Sequence, residues 1–313
     1  MSEPASLPSN PLRRIAADLR DFAAAWDRFW LTPQRPHTVC ALRWLAGGMF
    51  LYTHLVWSLA LDEFFVSDGW QPAALVDGFR GGATPWSFWW LVPDGMIWPV
   101  HWLCVAVLAM FWVGLGTPVT SKLTAVIVIA YANRVPYANF GLDQINGLLA
   151  LYLAIAPCGA VWSLDARLRG RDERPRVTAG LAMRLIQVHL CVIYAYAGLA
   201  KLKGQAWWTG EAIWMTLANQ EYQSLDLTRL AWHPRLTETL SHATVLWELS
   251  FWALVWRPRL RPYVLAVGTL MHIGIGAVLG MWTFGLIMTV AYLAFAPPES
   301  LARLLCSRQE SPA

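Results

Sequence analysis

Three ionisable residues stand where apolar sequence would be expected. Lys201 ends the apolar run of MRLIQVHLCVIYAYAGLAK, Glu248 sits inside LWELSFW, and His272 sits inside LMHIGIG. A lysine at the mouth of an apolar helix has two readings. It snorkels its ammonium to the interface, or it acts as a base in an apolar pocket that disfavours its charged form. A carboxylate and an imidazole at similar depth can share a proton, as a structural bridge, a relay or a general acid/base pair. Lys201, Glu248 and His272 are therefore the candidate catalytic set. Lys201 is followed by a Gly and Trp cluster, GQAWWTGE, which makes Trp207 and Trp208 candidate substrate contacts. Arg134 and Asp143 bracket the loop NRVPYANFGLD. They read first as a salt bridge holding that loop, and they join the two tryptophans in the candidate substrate-binding set. His189 reads as a hydrogen-bonded core residue, His54 and His101 as interface residues.

The elements that must position these groups are helices in a bilayer. The 313 residues are 57% hydrophobic and 14% charged. Soluble domains carry about 25% charged residues, so this composition is short of a water-facing surface. Twenty tryptophans suit a protein with two membrane interfaces to anchor. The net charge of +4 gives no sign of nucleic-acid binding; its distribution along the chain sets topology instead. The five cysteines, Cys40, Cys104, Cys158, Cys191 and Cys306, show no CxxC or Cys/His spacing, so neither a disulfide framework nor a metal site is expected.

The chain reads as all-α, a polytopic transmembrane helical bundle of about eight spans. Residues 1–10, rich in Ser and Pro, read as a disordered tail. Residues 11–35 form an amphipathic helix, too polar to span, lying in the interface. The spans fall at Val39–Leu61, Ile97–Leu115, Ser121–Val135, Gln144–Trp162, Ala182–Lys201, Leu240–Trp256, Pro262–Leu279 and Trp282–Ala296. They make residues 36–297 one transmembrane domain, followed by a cytoplasmic tail over 298–313. Alternate loops hold the arginines, among them Arg167, Arg169, Arg171, Arg174 and Arg176 in one loop and Arg257, Arg259 and Arg261 in another. The positive-inside rule then places both termini in the cytoplasm.

The motifs occur in a recognisable order. ALRWLAGGMF with Arg43, NRVPYANFGLDQINGLLALYLAIAPCGAVWSLD, YAGLAKLKG with WWTGEA, LWELSFWALVWRPRLRP and GTLMHIGIG together resemble the HTTM (horizontally transferred transmembrane) domain family, bacterial relatives of the vitamin K-dependent gamma-carboxylases, over roughly Arg43 to Pro297. The resemblance implies an integral protein of the bacterial cytoplasmic (inner) membrane. It assigns Lys201 the place of the carboxylases' base and His272 that of a histidine. FGLDQING puts Leu142 or Asp143 where an Asn-His pair would be expected, and no large soluble propeptide-binding domain is seen. The implied chemistry is base-initiated, of redox or carboxylation type, on a lipid-soluble, quinone-like substrate, with a reduced quinone as the cofactor the resemblance points to. A proton-coupled transporter and a non-catalytic membrane partner are the alternatives, and the bilayer is the expected surrounding partner. Oligomeric state is left open.

Overall fold

The computed structural model describes residues 11–79 and 86–306. The tail expected to be disordered, residues 1–10, lies outside the described residues. Among those described there is no strand, and the one β pairing is a single bridge between Gln34 and Arg176.

Among the described residues, nine of the helices carry the architecture: α1 (Pro11–Leu31), α2 (His37–Trp57), α3 (Ile97–Val113), α4 (Thr117–Arg134), α5 (Gly141–Ile155), α6 (Val177–Lys201), α7 (Pro234–Leu254), α8 (Arg261–Leu279) and α9 (Trp282–Ala291), the last continued by a 3-10 turn, Tyr292–Phe295. Helices α2 to α9 overlap the eight segments expected from the sequence, and six of them, α2, α3, α5, α6, α8 and α9, are markedly apolar. Among the described residues, four stretches are long and apolar enough to cross a membrane by length and composition: His37–Trp57, Asp94–Val113, Val177–Lys201 and Arg261–Leu279. At 1.5 Å per residue, a helix of 21 residues reaches about 31 Å, the depth of the hydrocarbon core. Two shorter apolar stretches, Gly141–Ile155 and Trp282–Phe295, complete the apolar set.

Helix ends depart from the expected spans for local reasons. Helix α3 stops at Gly114, whose φ of 78° is left-handed, and the Leu115 amide bonds back to the Met110 carbonyl. A side chain there would also collide, because its Cβ would lie 2.4 Å from Ser163 Cβ. Helix α5 ends at Ile155, short of the expected Trp162. Pro157 drives Ala156 into extended backbone, with ψ of 150°. Helices α6 and α7 start earlier than expected, at Val177 and Pro234, adding polar turns to the apolar runs.

Helix α6 is central: α1, α5 and α7 pack on it, while α8 pairs with α9 and α2 with α3. Helix α1 presents Leu12, Leu19, Phe22 and Trp26 as exposed apolar side chains. Its end is held to α6 by Arg184, which donates to the Phe29 carbonyl at 3.1 Å and stacks its guanidinium over the Phe29 ring at 4.7 Å.

Two buried polar residues tie the chain ends of helices together. Arg43 is fully buried and donates to the carbonyls of Cys158, Phe111, Trp112 and Trp162. These include carbonyls of the last turn of α3, so the cation sits at the negative end of a helix dipole. Asp165 caps α4 from 48 residues away, accepting from the Thr117 amide and hydroxyl, both at 2.7 Å, and from the Gly116 amide at 2.9 Å. Burial by itself would raise its pKa, but these donors outweigh that and hold it below the usual carboxylate value.

Three expectations are corrected by the structure. Arg134 and Asp143 do not pair. The Arg134 guanidinium donates to the carbonyls of Gln71 at 2.7 Å, Phe65 at 2.9 Å and Val66 at 3.2 Å, and lies over the Trp90 ring at 4.7 Å. Asp143 instead accepts from the Phe140 amide at 3.1 Å, capping α5. A single arginine has five donors, and the loop before α3 offers carbonyls that need them, so backbone satisfaction won over charge pairing. His54 and His101 are buried in protein, not placed at an interface. His54 bonds to the Phe50 carbonyl at 2.7 Å, and His101 bridges Tyr131 at 2.7 Å and Ser58 at 2.8 Å.

Candidate functional site

The end of α6 determines where Lys201 goes. The helix continues without a break from Val177, and the turn at Leu202–Gly204 then folds the chain back, with the Gly204 amide bonding to the Lys201 carbonyl at 3.0 Å. That return places the Trp207 ring 5.1 Å from the Lys201 Nζ, in cation–π range. Helix α7 runs beside α6 and presents Glu248 to the same point. The Lys201 Nζ donates to Glu248 Oε1 at 2.9 Å and lies 2.8 Å from Oε2. The Glu248 side chain keeps 7% of its surface exposed and that of Lys201 22%.

His272 approaches from α8. Its Nε2 is 2.7 Å from the Tyr194 hydroxyl, which also meets the Tyr292 hydroxyl. The His272 ring packs edge-on against Phe284, with centroids 5.4 Å apart. Its Nδ1 is buried and has no hydrogen-bond partner among the described residues. A buried imidazole nitrogen left open is unusual, because desolvation without a bond is costly.

These groups share one cavity of about 540 Å³, lined by Lys201, Glu248, His272, Tyr194 and Trp207 among mostly apolar side chains such as Ile193, Met271 and Phe284. Small-molecule sites occupy roughly 300–1,000 Å³ and combine apolar walls with a few convergent polar groups. His189 reaches the edge of the cavity and bonds to Tyr152 at 2.7 Å. The helix Ala212–Leu217 supplies Ile213 and Thr216, so this part of the segment between α6 and α7 dips inward against α7. Among the described residues, no group of three or more His, Cys, Asp or Glu side chains is placed to hold a metal ion.

Of the residues singled out from the sequence, Lys201, Glu248, His272 and Trp207 come together. Trp208 does not join them: it is exposed, and its indole donates to the Leu202 carbonyl at 2.8 Å. Arg134 and Asp143 do not line the cavity, although Gly141 and Gln144, on either side of Asp143, do.

The HTTM domain matches residues 86–299, more than half of the chain. The chain belongs to the HTTM family. All of the cavity residues lie within that stretch. The uncharacterized protein YitO of Bacillus subtilis (strain 168) is similar to this HTTM protein, 20% identical over 206 residues. The match covers 63% of this chain and 66% of that protein, so it spans just under two thirds of the relative's length. No solved structure matches. With its apolar helices, this HTTM protein is a membrane protein.

Tyr194 and Tyr292 were missed from the sequence. For Tyr194 a signal existed: it precedes Lys201 by seven residues, two helical turns, and so shares its face. For Tyr292 there was none, since it reaches Tyr194 across 98 residues. The Lys201–Glu248 bond was equally hidden by 47 residues.

Proposed function

We propose that this protein spans the bacterial cytoplasmic membrane eight times with both termini inside, and performs base-initiated chemistry on a lipid-soluble, quinone-like substrate. The observation that carries the chemical part is the two-point contact of Lys201 with Glu248 on the wall of a largely apolar cavity. A lone buried lysine would be a base because burial favours its neutral amine, which then accepts the proton. A paired one works differently. The Lys201–Glu248 pair is neutral as a unit and has room for one more proton. Glu248 takes the proton of a weakly acidic hydroxyl, and the Lys201 ammonium, already fixed in place, faces the oxygen left behind. Charge then develops beside a preorganised cation in a largely apolar site, where such an interaction is stronger than in water. Trp207 closes the site over the ammonium. His272, with one nitrogen held by Tyr194 and the other open, is set to bond a second oxygen of the same molecule.

The fit to a hydroquinone-like molecule rests on the cavity's size, its apolar walls and two separate polar stations. The test uses 2-methyl-1,4-naphthohydroquinone and the purified protein under anaerobic conditions. The bound probe is expected to show the red-shifted absorption of its anion at a pH where the free probe is neutral, and Glu248→Gln is expected to abolish that band. A bound probe that keeps the neutral spectrum in the parent protein, or a probe that does not bind, overturns the reading.

A further inference from the structure

A different cavity, of about 340 Å³, lies where the start of α4, the end of α5 and the start of α6 meet. It shares no lining residue with the cavity of Lys201 and Glu248. One wall is fixed by close packing: a Cβ on Gly159, in the chain after α5, would lie 1.9 Å from the Thr117 hydroxyl oxygen. Three cations line the space. Lys122 comes from the second turn of α4, Arg169 from the short helix Leu164–Arg169, and Arg176 from the residue before α6.

The two carboxylates of this cavity are already engaged. Both oxygens of Asp165 accept from the start of α4. Asp172 accepts from Arg174 at 3.0 Å and from Arg176. Donors are left over. Lys122 gives one to the Pro118 carbonyl at 2.6 Å and keeps two more. Arg169 makes no hydrogen bond or ion pair among the described residues, although Asp165 is near enough to feel its charge. Helix α6 starts without a side-chain cap on its first amides, and Thr178 of that turn lines the cavity. Ser121 adds an independent sign. It lines the cavity, is only 2% exposed, and its hydroxyl makes no hydrogen bond among the described residues. A buried hydroxyl without a partner is unusual, and this one shares its space with cations and an uncapped helix start.

Spare donors and positive charge around one space suit a group with negative charge and several acceptor oxygens, as a phosphate has. The surroundings say which phosphate. Ile155 lines the cavity and is exposed, and so are Val119 and Leu168, each next in the chain to a lining residue. Basic groups set among exposed apolar side chains, in a membrane protein, match a lipid headgroup with its chains alongside. We propose that this cavity binds the phosphate of an anionic phospholipid, with Lys122 and Arg169 pairing with its charge and Ser121 donating to one of its oxygens. The site is independent of the chemistry at Lys201. Its test titrates the purified protein, in a non-ionic detergent, with dioleoyl phosphatidylglycerol, dioleoyl phosphatidylcholine or inorganic phosphate, and counts bound ligand by native mass spectrometry.

Phosphatidylglycerol is expected to fill one site about ten-fold more tightly than phosphatidylcholine, whose choline brings a positive charge to the same cations. Lys122→Gln together with Arg169→Gln should weaken that binding about ten-fold or more, as the loss of charge-assisted hydrogen bonds does. Arg167→Gln together with Arg171→Gln removes as much charge from residues that do not line the cavity, and should change binding less than about two-fold. Ser121→Ala keeps every charge and should weaken binding about three-fold or more. It decides the matter by itself should the Lys122 and Arg169 variant fold poorly. Equal affinity for the two lipids, equal losses from the two double variants, or parental binding by a folded Ser121→Ala protein overturns the proposal. So does inorganic phosphate that binds with the same dependence on Ser121 while phosphatidylglycerol does not, which assigns the cavity to a free anion.

Discussion

The Lys201 ammonium lies within 2.9 Å of both carboxylate oxygens of Glu248, bridging α6 and α7 at the wall of the cavity. The two residues share a charge balance, so removing either alone strands the other. Lys201→Met leaves the more deeply buried Glu248 unpaired and should cost about 3–5 kcal/mol. Glu248→Gln leaves Lys201, which keeps 22% of its side-chain surface exposed, and should cost less, about 1–3 kcal/mol after that solvation. The double variant should recover part of the loss, with a coupling of about 1–3 kcal/mol in detergent unfolding. Additive losses would show that the contact is energetically idle.

Lys201 and Lys203 should respond differently to arginine. Lys203 is exposed just past the end of the helix, and Lys203→Arg should be silent. Lys201→Arg keeps a cation opposite Glu248 and should insert and fold like the parent. It should nevertheless lose the anion band of the bound naphthohydroquinone by about ten-fold or more, because the planar fork is larger than an ammonium and does not sit at the same point. A parental spectrum for Lys201→Arg removes the specific role of the ammonium.

Tyr194 joins His272 to Tyr292, and its hydroxyl is the shared atom. Tyr194→Phe preserves the ring packing and strands a second nitrogen of His272, so a loss of about 1–3 kcal/mol in thermal unfolding is expected. Tyr292→Phe should cost less, since His272 keeps its bond. Equal losses would argue that the imidazole does not depend on Tyr194.

Arg134 and Asp143 should prove independent. Arg134→Ala leaves the carbonyls of Phe65, Val66 and Gln71 without a donor and should destabilise by about 1–3 kcal/mol or more. Asp143→Ala removes the cap of α5 at a cost of about 1 kcal/mol. The double variant should equal the sum within about 0.5 kcal/mol. A clear departure from additivity would restore the ion pair that the geometry rules out.

Asp165 should make the fold acid-sensitive. Its folded pKa lies below the ordinary value near ~3.9, so its contribution is present in full above about pH 5 and is lost as the pH falls through the folded value. Asp165→Asn should lower the melting temperature at pH 7 and flatten its decline between about pH 5 and pH 3. An unchanged acid limb would assign the sensitivity to other carboxylates.

Much of the architecture was legible in the sequence because a bilayer imposes it. Each apolar segment must satisfy its own backbone, so it becomes a helix whatever its neighbours are, and α2, α3, α5, α6, α8 and α9 follow the hydropathy. Lys201, Glu248 and His272 were legible for the same reason: an ionisable group in an apolar run is costly and so conspicuous. Their partners were not. Whether Arg134 faced Asp143 or the carbonyls of Phe65 and Gln71 depended on how the loop before α3 folds over α4, which no local rule dictates. The contacts of Lys201 with Glu248, across 47 residues, and of Tyr194 with Tyr292, across 98, exist only because α6, α7 and the turn after α9 pack together. The same holds for Gly274, which in sequence is one of three similar glycines of α8, with Gly268 and Gly276. Only the packing of α8 left two of them pressed against neighbours and the third facing open space, because side-chain periodicity names a face of a helix and tertiary structure determines what that face meets.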